Sequence, residues 1–396
     1  MNTIKINKNE NILFLQGPMG NFFKKLNNLF QNGGTETYTI GFNAGDSFFS
    51  NHYNYTPYRD TRDKYSTFIT NFLYEKKIDK IFLFGDCRFY QSVSIKVAKK
   101  LNIEVLVFEE GYIRPNYITI EKYGVNYFSN LSRDADFYKK IEVSYERKEE
   151  DVEYHQVFKI VSAATYYFVS NIFHFRYPNY KHHRDFSSLK EFFYGVRSLV
   201  RKLIYPFYEK KYLNIVTNEL SKKYFFVALQ TYNDFQILEH SGYKSIEQFI
   251  IEVIKSFSNN GLDLCLIFKH HPVDRGRKDY KDFIINQARM FDIEDRVIVL
   301  YDTHLPTLLK HAKGTVTINS TVGLSSLYHK TPTITLGKAI YDIEGLTSKG
   351  MNIDDFWHNQ QTVDLKLLDK YLSHIIENTQ LNGSFYGKLP DVRFYS

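Results

Sequence analysis

Cysteine is nearly absent. The two present, Cys87 and Cys265, lie far apart beside apolar runs, so neither a disulfide framework nor a cysteine metal site organises the chain. No run of eighteen or more uncharged apolar residues occurs, which removes the sequence signature of a membrane-spanning helix. The start, MNTIKINKNE, is polar and has no signal-peptide pattern, so a cytoplasmic protein is expected. With 396 residues the chain is too long for one ordinary core and should form two domains.

What is present is positive charge and aromatic surface. The formal charge of +7 favours an anionic partner: nucleic acid, a nucleotide-sugar or an anionic membrane surface. Residues 155–212 hold ten Lys/Arg against three Asp/Glu, an excess equal to that of the whole chain, and 16 of its 67 Phe, Tyr and Trp residues. Phe168, Ile172, Phe173, Phe192, Phe193, Val196, Leu199, Leu203 and Phe207 space out there as helical faces. Basic residues interleaved with aromatics on amphipathic helices suit lipid headgroups. The competing reading is an inter-domain helical segment whose aromatics pack inward while Lys and Arg snorkel. Single-stranded nucleic acid would suit the composition too, but no RRM, KH or OB pattern accompanies it, so nucleic acid is not an expected partner.

Along the chain, apolar runs alternate with helical periodicities. NILFLQ (11–16) is a strand that breaks at Gly17-Pro18, followed by a helix carrying Phe22, Phe23, Leu26 and Phe30. TYTIGFN (37–43) leads into Ala44-Gly45-Asp46 and a polar, tyrosine-rich loop to about Arg62. KIFLFG (80–85) ends at Asp86, and EVLVF (104–108) ends at Glu109-Glu110-Gly111. After the aromatic segment, YFFVAL (224–229) ends at Gln230 and Asp234. Ser245 and Gln248 form a capping box for a helix to about Ser258. LDLCLIFKHHPVDR (262–275) is a buried strand stopping at Lys269-His270-His271-Pro272. RVIVL (296–300), TVTI (315–318) and TITL (333–336) complete a second series, with Asn319-Ser320-Thr321 opening a helix. Such alternation predicts α/β architecture with parallel, doubly wound sheets.

Each polar cluster follows a strand: Gln16-Gly17, Asp46, Asp86, Glu109-Glu110, Gln230 and Asp234, His270-His271, Ser320-Thr321. Carboxyl ends of parallel strands are where open α/β sheets bind ligands, and two such sheets can face one cleft. Adjacent His270 and His271 leave a strand in opposite directions, so at most one is expected to face a ligand. Ser320 and Thr321 at a helix start suit phosphate, and His271 with Lys269 and Arg275 could neutralise a departing nucleotide phosphate. Glu110 and Asp234 supply a carboxylate in each half, the pair that glycosyl chemistry needs. Read singly, these residues are also compatible with N-caps, surface histidines and solvated acids.

In order along residues 11–347, the blocks FLQGPMGNFFKKL, GFNAGDSFF, FEEGYIRP, LQTYNDFQI, KHHPVDRG, GTVTINSTVGLSSLYHKTP and LGKAIYDIEGLT resemble KpsS-type capsule polysaccharide β-Kdo transferases. Their acidic-acidic-glycine, His-Pro and Ser/Thr signatures are shared with bacterial sialyltransferases. The resemblance implies a GT-B-like chain of two Rossmann-like domains facing a cleft: 1–140 on the acceptor side, a helical basic/aromatic segment 141–215, a CMP-sugar domain 216–360, and a C-terminal helix and tail 361–396. It implies CMP-Kdo as donor, a phosphatidylglycerol-type lipid as acceptor, no metal and no other cofactor, and work at the inner-membrane surface beside other capsule biosynthesis and export proteins. By similarity, Glu110, beside Glu109, takes the acid/base position and Asp234 that of a nucleophile. Lys269, His270, His271, Arg275, Asn319, Ser320 and Thr321 fall on the donor side. Lys269, Arg275 and Arg114 are the candidate partners of the Kdo carboxylate. Left open are another CMP-sugar, extension of a Kdo chain, and a non-catalytic membrane-bound assembly subunit.

Overall fold

The computed structural model describes residues 3–50, 52–142, 151–152, 155–181, 188–232, 237 and 241–395. Along these run β1 (Ile4–Asn7), β2 (Asn11–Phe14), β3 (Glu36–Gly41), β4 (Tyr55–Pro57), β5 (Lys80–Phe84), β6 (Glu104–Glu110), β7 (Tyr117–Lys122), β8 (Tyr224–Ala228), β9 (Cys265–Lys269), β10 (Val297–Leu300), β11 (Gly314–Thr317), β12 (Thr333–Thr335), β13 (Gln380–Asn382) and β14 (Val392–Tyr395). The chain divides into two compact units. Unit 1 is Met1–Leu131 with Ser144–Ser188 and Ser373–Ser396, and unit 2 is Ser132–Val143 with Leu189–Leu372.

Unit 1 is built on a seven-stranded sheet in the order β13-β7-β6-β5-β2-β3-β4. From β6 to β4 the strands are parallel, while β7 runs antiparallel to both β6 and β13. Ile12, Leu13 and Phe14 are all buried, as a central parallel strand covered on both faces requires. Alternate residues divide between two cores. Leu13, Leu83, Val105 and Val107 pack with Tyr65, Ile69 and Tyr90 on one face, and Ile12, Phe14, Leu106 and Phe108 pack with Phe22, Phe23 and Leu26 on the other. A separate two-stranded sheet pairs β1 with β14.

Unit 2 has a five-stranded, wholly parallel sheet, β10-β9-β8-β11-β12. Phe225 and Val227 face helix Ile246–Ser258, and Phe226 and Ala228 face Leu308 and Leu309. That helix starts as its capping box predicts, with Ser245 accepting the Gln248 amide at 3.3 Å.

The division differs from the sequence expectation in two places. Residues 141–215 are not a separate segment: helix Gln156–Ile172 belongs to unit 1, and helix Ser188–Thr217 lies mostly in unit 2. The tail is no appendage either, because β13 extends the unit 1 sheet through Leu381 opposite Ile118 and β14 pairs with the N-terminal strand. The tyrosine-rich stretch after Asn43 also has regular structure, a helix over Ala44–Ser50 and then β4.

Candidate functional site

In unit 1 the strand order reverses beside β2, where β3 lies on one side and β5, reached later, on the other. The crevice beyond such a reversal is the usual ligand position in an open α/β sheet. Gln16 follows β2 there and Arg88 follows β5, and the Arg88 Nη1 donates to Gln16 Oε1 at 3.3 Å, linking the two strand ends. Gln16 Nε2 donates to both Asp46 oxygens at 3.1 Å and to the Tyr166 hydroxyl at 2.9 Å. Tyr166 in turn donates to Asp46 Oδ1 at 2.8 Å, and the Phe42 amide to Asp46 Oδ2 at 2.9 Å. Asn43 joins through Nδ2 to Tyr166 at 2.6 Å and through Oδ1 to the Asp46 amide. Burial raises the Asp46 carboxyl above its usual range, opposed by these donors.

Glu109 and Glu110 end β6 and, by the two-residue period of a strand, leave it on opposite faces. Gly111 follows because a Cβ there would stand 2.2 Å from the Tyr117 carbonyl oxygen, so the sharp turn of the acidic motif has room only for glycine. Glu109 lies on the side of Gly85 and receives the Glu110 amide at 3.0 Å. Burial pushes its carboxyl up to about 7; the neighbouring Glu110 and Asp86 charges add to the rise, and the Glu110 amide and Arg88 oppose it. Glu110 points the other way and pairs with Lys159 at 3.2 Å. Lys159 belongs to helix Gln156–Ile172, which also carries Ser162, Tyr166 and Ser170, so positions 159, 162, 166 and 170 form one helical face. That face lays polar groups over the strand ends of unit 1.

Unit 2 reverses its strand order beside β8, between β9 and β11. Gln230 follows β8 and Asn319 follows β11, and they exchange two hydrogen bonds: Gln230 Nε2 to Asn319 Oδ1 at 3.0 Å, and the Asn319 amide to Gln230 Oε1 at 3.1 Å. Ser320 Oγ accepts the Val322 amide at 3.2 Å at the start of helix Val322–Tyr328. His271 caps the turn after β9, its Nδ1 accepting the Val273 amide at 3.2 Å. Arg197 donates to the Gly276 and Arg277 carbonyls and Arg201 to the Arg275 carbonyl, so two of the basic residues in the 155–212 excess grip the His-Pro loop. Glu209, buried on the same helix, collects the amides of Tyr301, Asp302 and Thr303.

Several expected site residues are engaged in the packing of their own unit. His270 is buried, stacked on Tyr301 at 4.6 Å and on Tyr280 at 5.7 Å, and burial lowers its pKa to about 4. Burial therefore favours the neutral imidazole, held between two tyrosine rings. Lys269 is buried, donates to the Tyr301 carbonyl at 2.7 Å and has its pKa lowered by burial. Arg275 pairs with Asp302, which leaves the exposed Arg114 as the member of that trio facing solvent. Asp86 is buried with Oδ2 on the Val125 amide at 2.8 Å, fixing the loop after β7. Gly17 has a packing cause: a Cβ would lie 2.6 Å from the Phe23 ring. Asp234 lies outside the described residues. The sequence reading missed Arg88, Lys159, Tyr166 and Gln380, whose Oε1 accepts the Tyr112 amide at 3.1 Å beside the acidic motif. The four-residue recurrence of Ser162, Tyr166 and Ser170 was the available signal, masked by the stronger apolar periodicity of the same helix. Among the described residues no cluster of His, Cys, Asp and Glu is placed to hold a metal ion, and no helix is long and apolar enough to cross a membrane.

Two α/β units, each with polar side chains joined across the strand-order reversal of its sheet, define a two-unit α/β chain. The chain belongs to the capsule polysaccharide biosynthesis protein family, whose model matches residues 79–386. It is 37% identical over 375 residues to the capsule polysaccharide export protein KpsS of Escherichia coli, covering 94% of this chain and 96% of that protein. It is 34% identical over 396 residues to the capsule polysaccharide modification protein LipB of Neisseria meningitidis serogroup B, covering 96% and 92%. Among solved structures, the β-Kdo 2,7 transferase KpsC of Thermosulfurimonas dismutans matches with a TM-score of 0.42 and 15% identity over 92% of this chain and 89% of that one.

Proposed function

We propose that the chain transfers a β-Kdo residue from CMP-Kdo to a phosphatidylglycerol-type lipid, the first step of the linker that carries a capsular polysaccharide. The observation that carries this reading is the acidic motif at the end of β6. It pairs a carboxyl raised to about 7 with a second carboxyl held by an ammonium, in a chain of a capsule biosynthesis family. Glu110, the carboxylate held by Lys159, is the one assigned to the proton of the acceptor hydroxyl, and the raised Glu109 carboxyl stands beside it on the opposite face of the strand.

In the proposed mechanism the acceptor binds unit 1 and CMP-Kdo binds unit 2. Asp234 attacks the anomeric carbon of Kdo as CMP leaves, forming a glycosyl-enzyme ester. His271 and the Ser320-Thr321 turn stabilise the leaving phosphate. Glu110 then takes the proton of the acceptor hydroxyl, whose oxygen displaces Asp234, and two inversions retain the β configuration. Lys159 holds the Glu110 carboxylate in place before proton transfer. Arg114 is the preferred partner for the Kdo carboxylate, since Lys269 and Arg275 are committed elsewhere.

The reading is tested by following CMP release from CMP-Kdo and CMP-sialic acid in the presence of phosphatidylglycerol, with UDP-N-acetylglucosamine as the unrelated donor. Acceptor-dependent release from CMP-Kdo alone is expected. Release from CMP-sialic acid instead would move the assignment to another CMP-sugar. Consumption of no donor would support the non-catalytic assembly subunit.

A further inference from the structure

Helix Gln156–Ile172 is inverted with respect to a water-facing helix. Its inward face is polar: Lys159 pairs with Glu110, Ser162 and Tyr166 are buried, and Ser170 Oγ donates to Asn43 Oδ1 at 3.1 Å. Its outward face is apolar, with Val157 75%, Ile160 60%, Val161 54%, Phe168 65% and Ile172 49% exposed. With the exposed Ala164 between them, these positions recur at three- and four-residue steps and form a continuous stripe, which soluble helices ordinarily turn toward the core. An apolar stripe left outward calls for an apolar cover.

The surroundings of the helix specify the kind of cover. At its amino-terminal end lies a cavity of about 450 Å³ whose lining includes Lys25, Asp151, His155, Phe158, Tyr386 and Lys388. Two ammonium groups and an imidazole against one carboxylate suit a phosphodiester, and Asp151 adds an acceptor for a hydroxyl. The Tyr386 ring also carries the Lys159 ammonium at 5.4 Å, and that ammonium binds Glu110, so the cavity adjoins the acidic motif through one shared side chain. An apolar protein groove would cover the stripe but would not answer the positive charge along the cavity. An anionic phospholipid supplies both chemistries, acyl chain for the stripe and phosphate for the cavity.

We propose that this helix and cavity together form an anionic-phospholipid site: the outward stripe lies in the acyl boundary of a bilayer, and Lys25, His155 and Lys388 take the headgroup phosphate. The role this gives the headgroup, presenting its hydroxyl to Glu110, rests on the transferase reading above, whereas lipid binding itself does not.

Co-sedimentation of the full chain with vesicles, without any sugar donor, tests the site. One set is phosphatidylcholine and the other equal parts phosphatidylcholine and phosphatidylglycerol. Lys25→Ala with Lys388→Ala is expected to weaken binding to the mixed vesicles by about 30-fold, with binding to phosphatidylcholine unchanged. Ile160→Ser with Phe168→Ser, both at exposed positions, is expected to weaken binding to both vesicle types by more than about tenfold, with the melting temperature retained. Wild-type affinity in either double variant, or no sedimentation of the wild-type chain with mixed vesicles, would overturn the proposal. The second of these results would direct attention to a protein partner. Lipid binding that follows the expected pattern without Kdo transfer supports the site and removes the transferase reading. Kdo transfer to a soluble acceptor without vesicle binding does the opposite.

Discussion

Glu109 and Glu110 share a motif but not an environment, because a strand sends neighbouring side chains to opposite faces. For Glu109 the folded chain holds a proton more tightly than the unfolded one, since burial raises its pKa from 4.5 to about 7. The stabilisation tied to protonated Glu109 is therefore fully present below about 4.5 and is lost as pH rises through about 7. Urea unfolding of wild type and Glu109→Gln across this range should show the wild-type advantage shrinking as pH rises. A difference independent of pH would contradict the raised pKa of this carboxyl. Tyr166 makes a second residue-scale case. Its hydroxyl joins Gln16, Asn43 and Asp46, so Tyr166→Phe removes a donor from a buried carboxylate and should cost ~1–3 kcal/mol in urea unfolding. A change within experimental error would show that the network contributes nothing to stability.

At the scale of elements, the alternation of strands and helices was legible because each central parallel strand, such as β2 or β8, is a short apolar run ending in polar residues. The strands that escaped are β1, β4, β7, β13 and β14. Three of these, β1, β13 and β14, are specified by partners more than 200 residues away, Gln380 opposite Thr119 and Val392 opposite Ile4. No local pattern encodes such pairings. The strand-end clusters were legible as positions, but their roles were not. Asp46, Asp86, Lys269 and His270 look like ligand groups in sequence and are used to satisfy buried amides, carbonyls and rings. Helix Gln156–Ile172 was misread for a related reason. Its apolar residues signalled an amphipathic helix correctly, while its polar residues, which complete the unit 1 constellation, were treated as background.

At the scale of the molecule, two units fold around two large sheets, and the single tryptophan reports on only one of them. Trp357 is fully buried in unit 2, edge-on to Phe225 at 4.8 Å and to Phe257 at 5.3 Å, with Nε1 donating to Ser256 Oγ at 2.8 Å. Trp357→Ala should cost ~3–5 kcal/mol, read from far-UV circular dichroism in urea. A loss below about 1 kcal/mol would mean that this core tolerates the cavity. The functional account joins a unit carrying the acidic motif to a unit carrying the His-Pro and Ser-Thr turns. The measurement that tests it most directly is mass spectrometry of a phosphatidylglycerol acceptor after incubation with the chain and CMP-Kdo. The account predicts acceptor plus one Kdo, formed about 10²–10⁴-fold more slowly by Glu110→Gln and not detectably by Asp234→Ala. An unmodified lipid with wild-type chain, or a product made equally well by both variants, would contradict it.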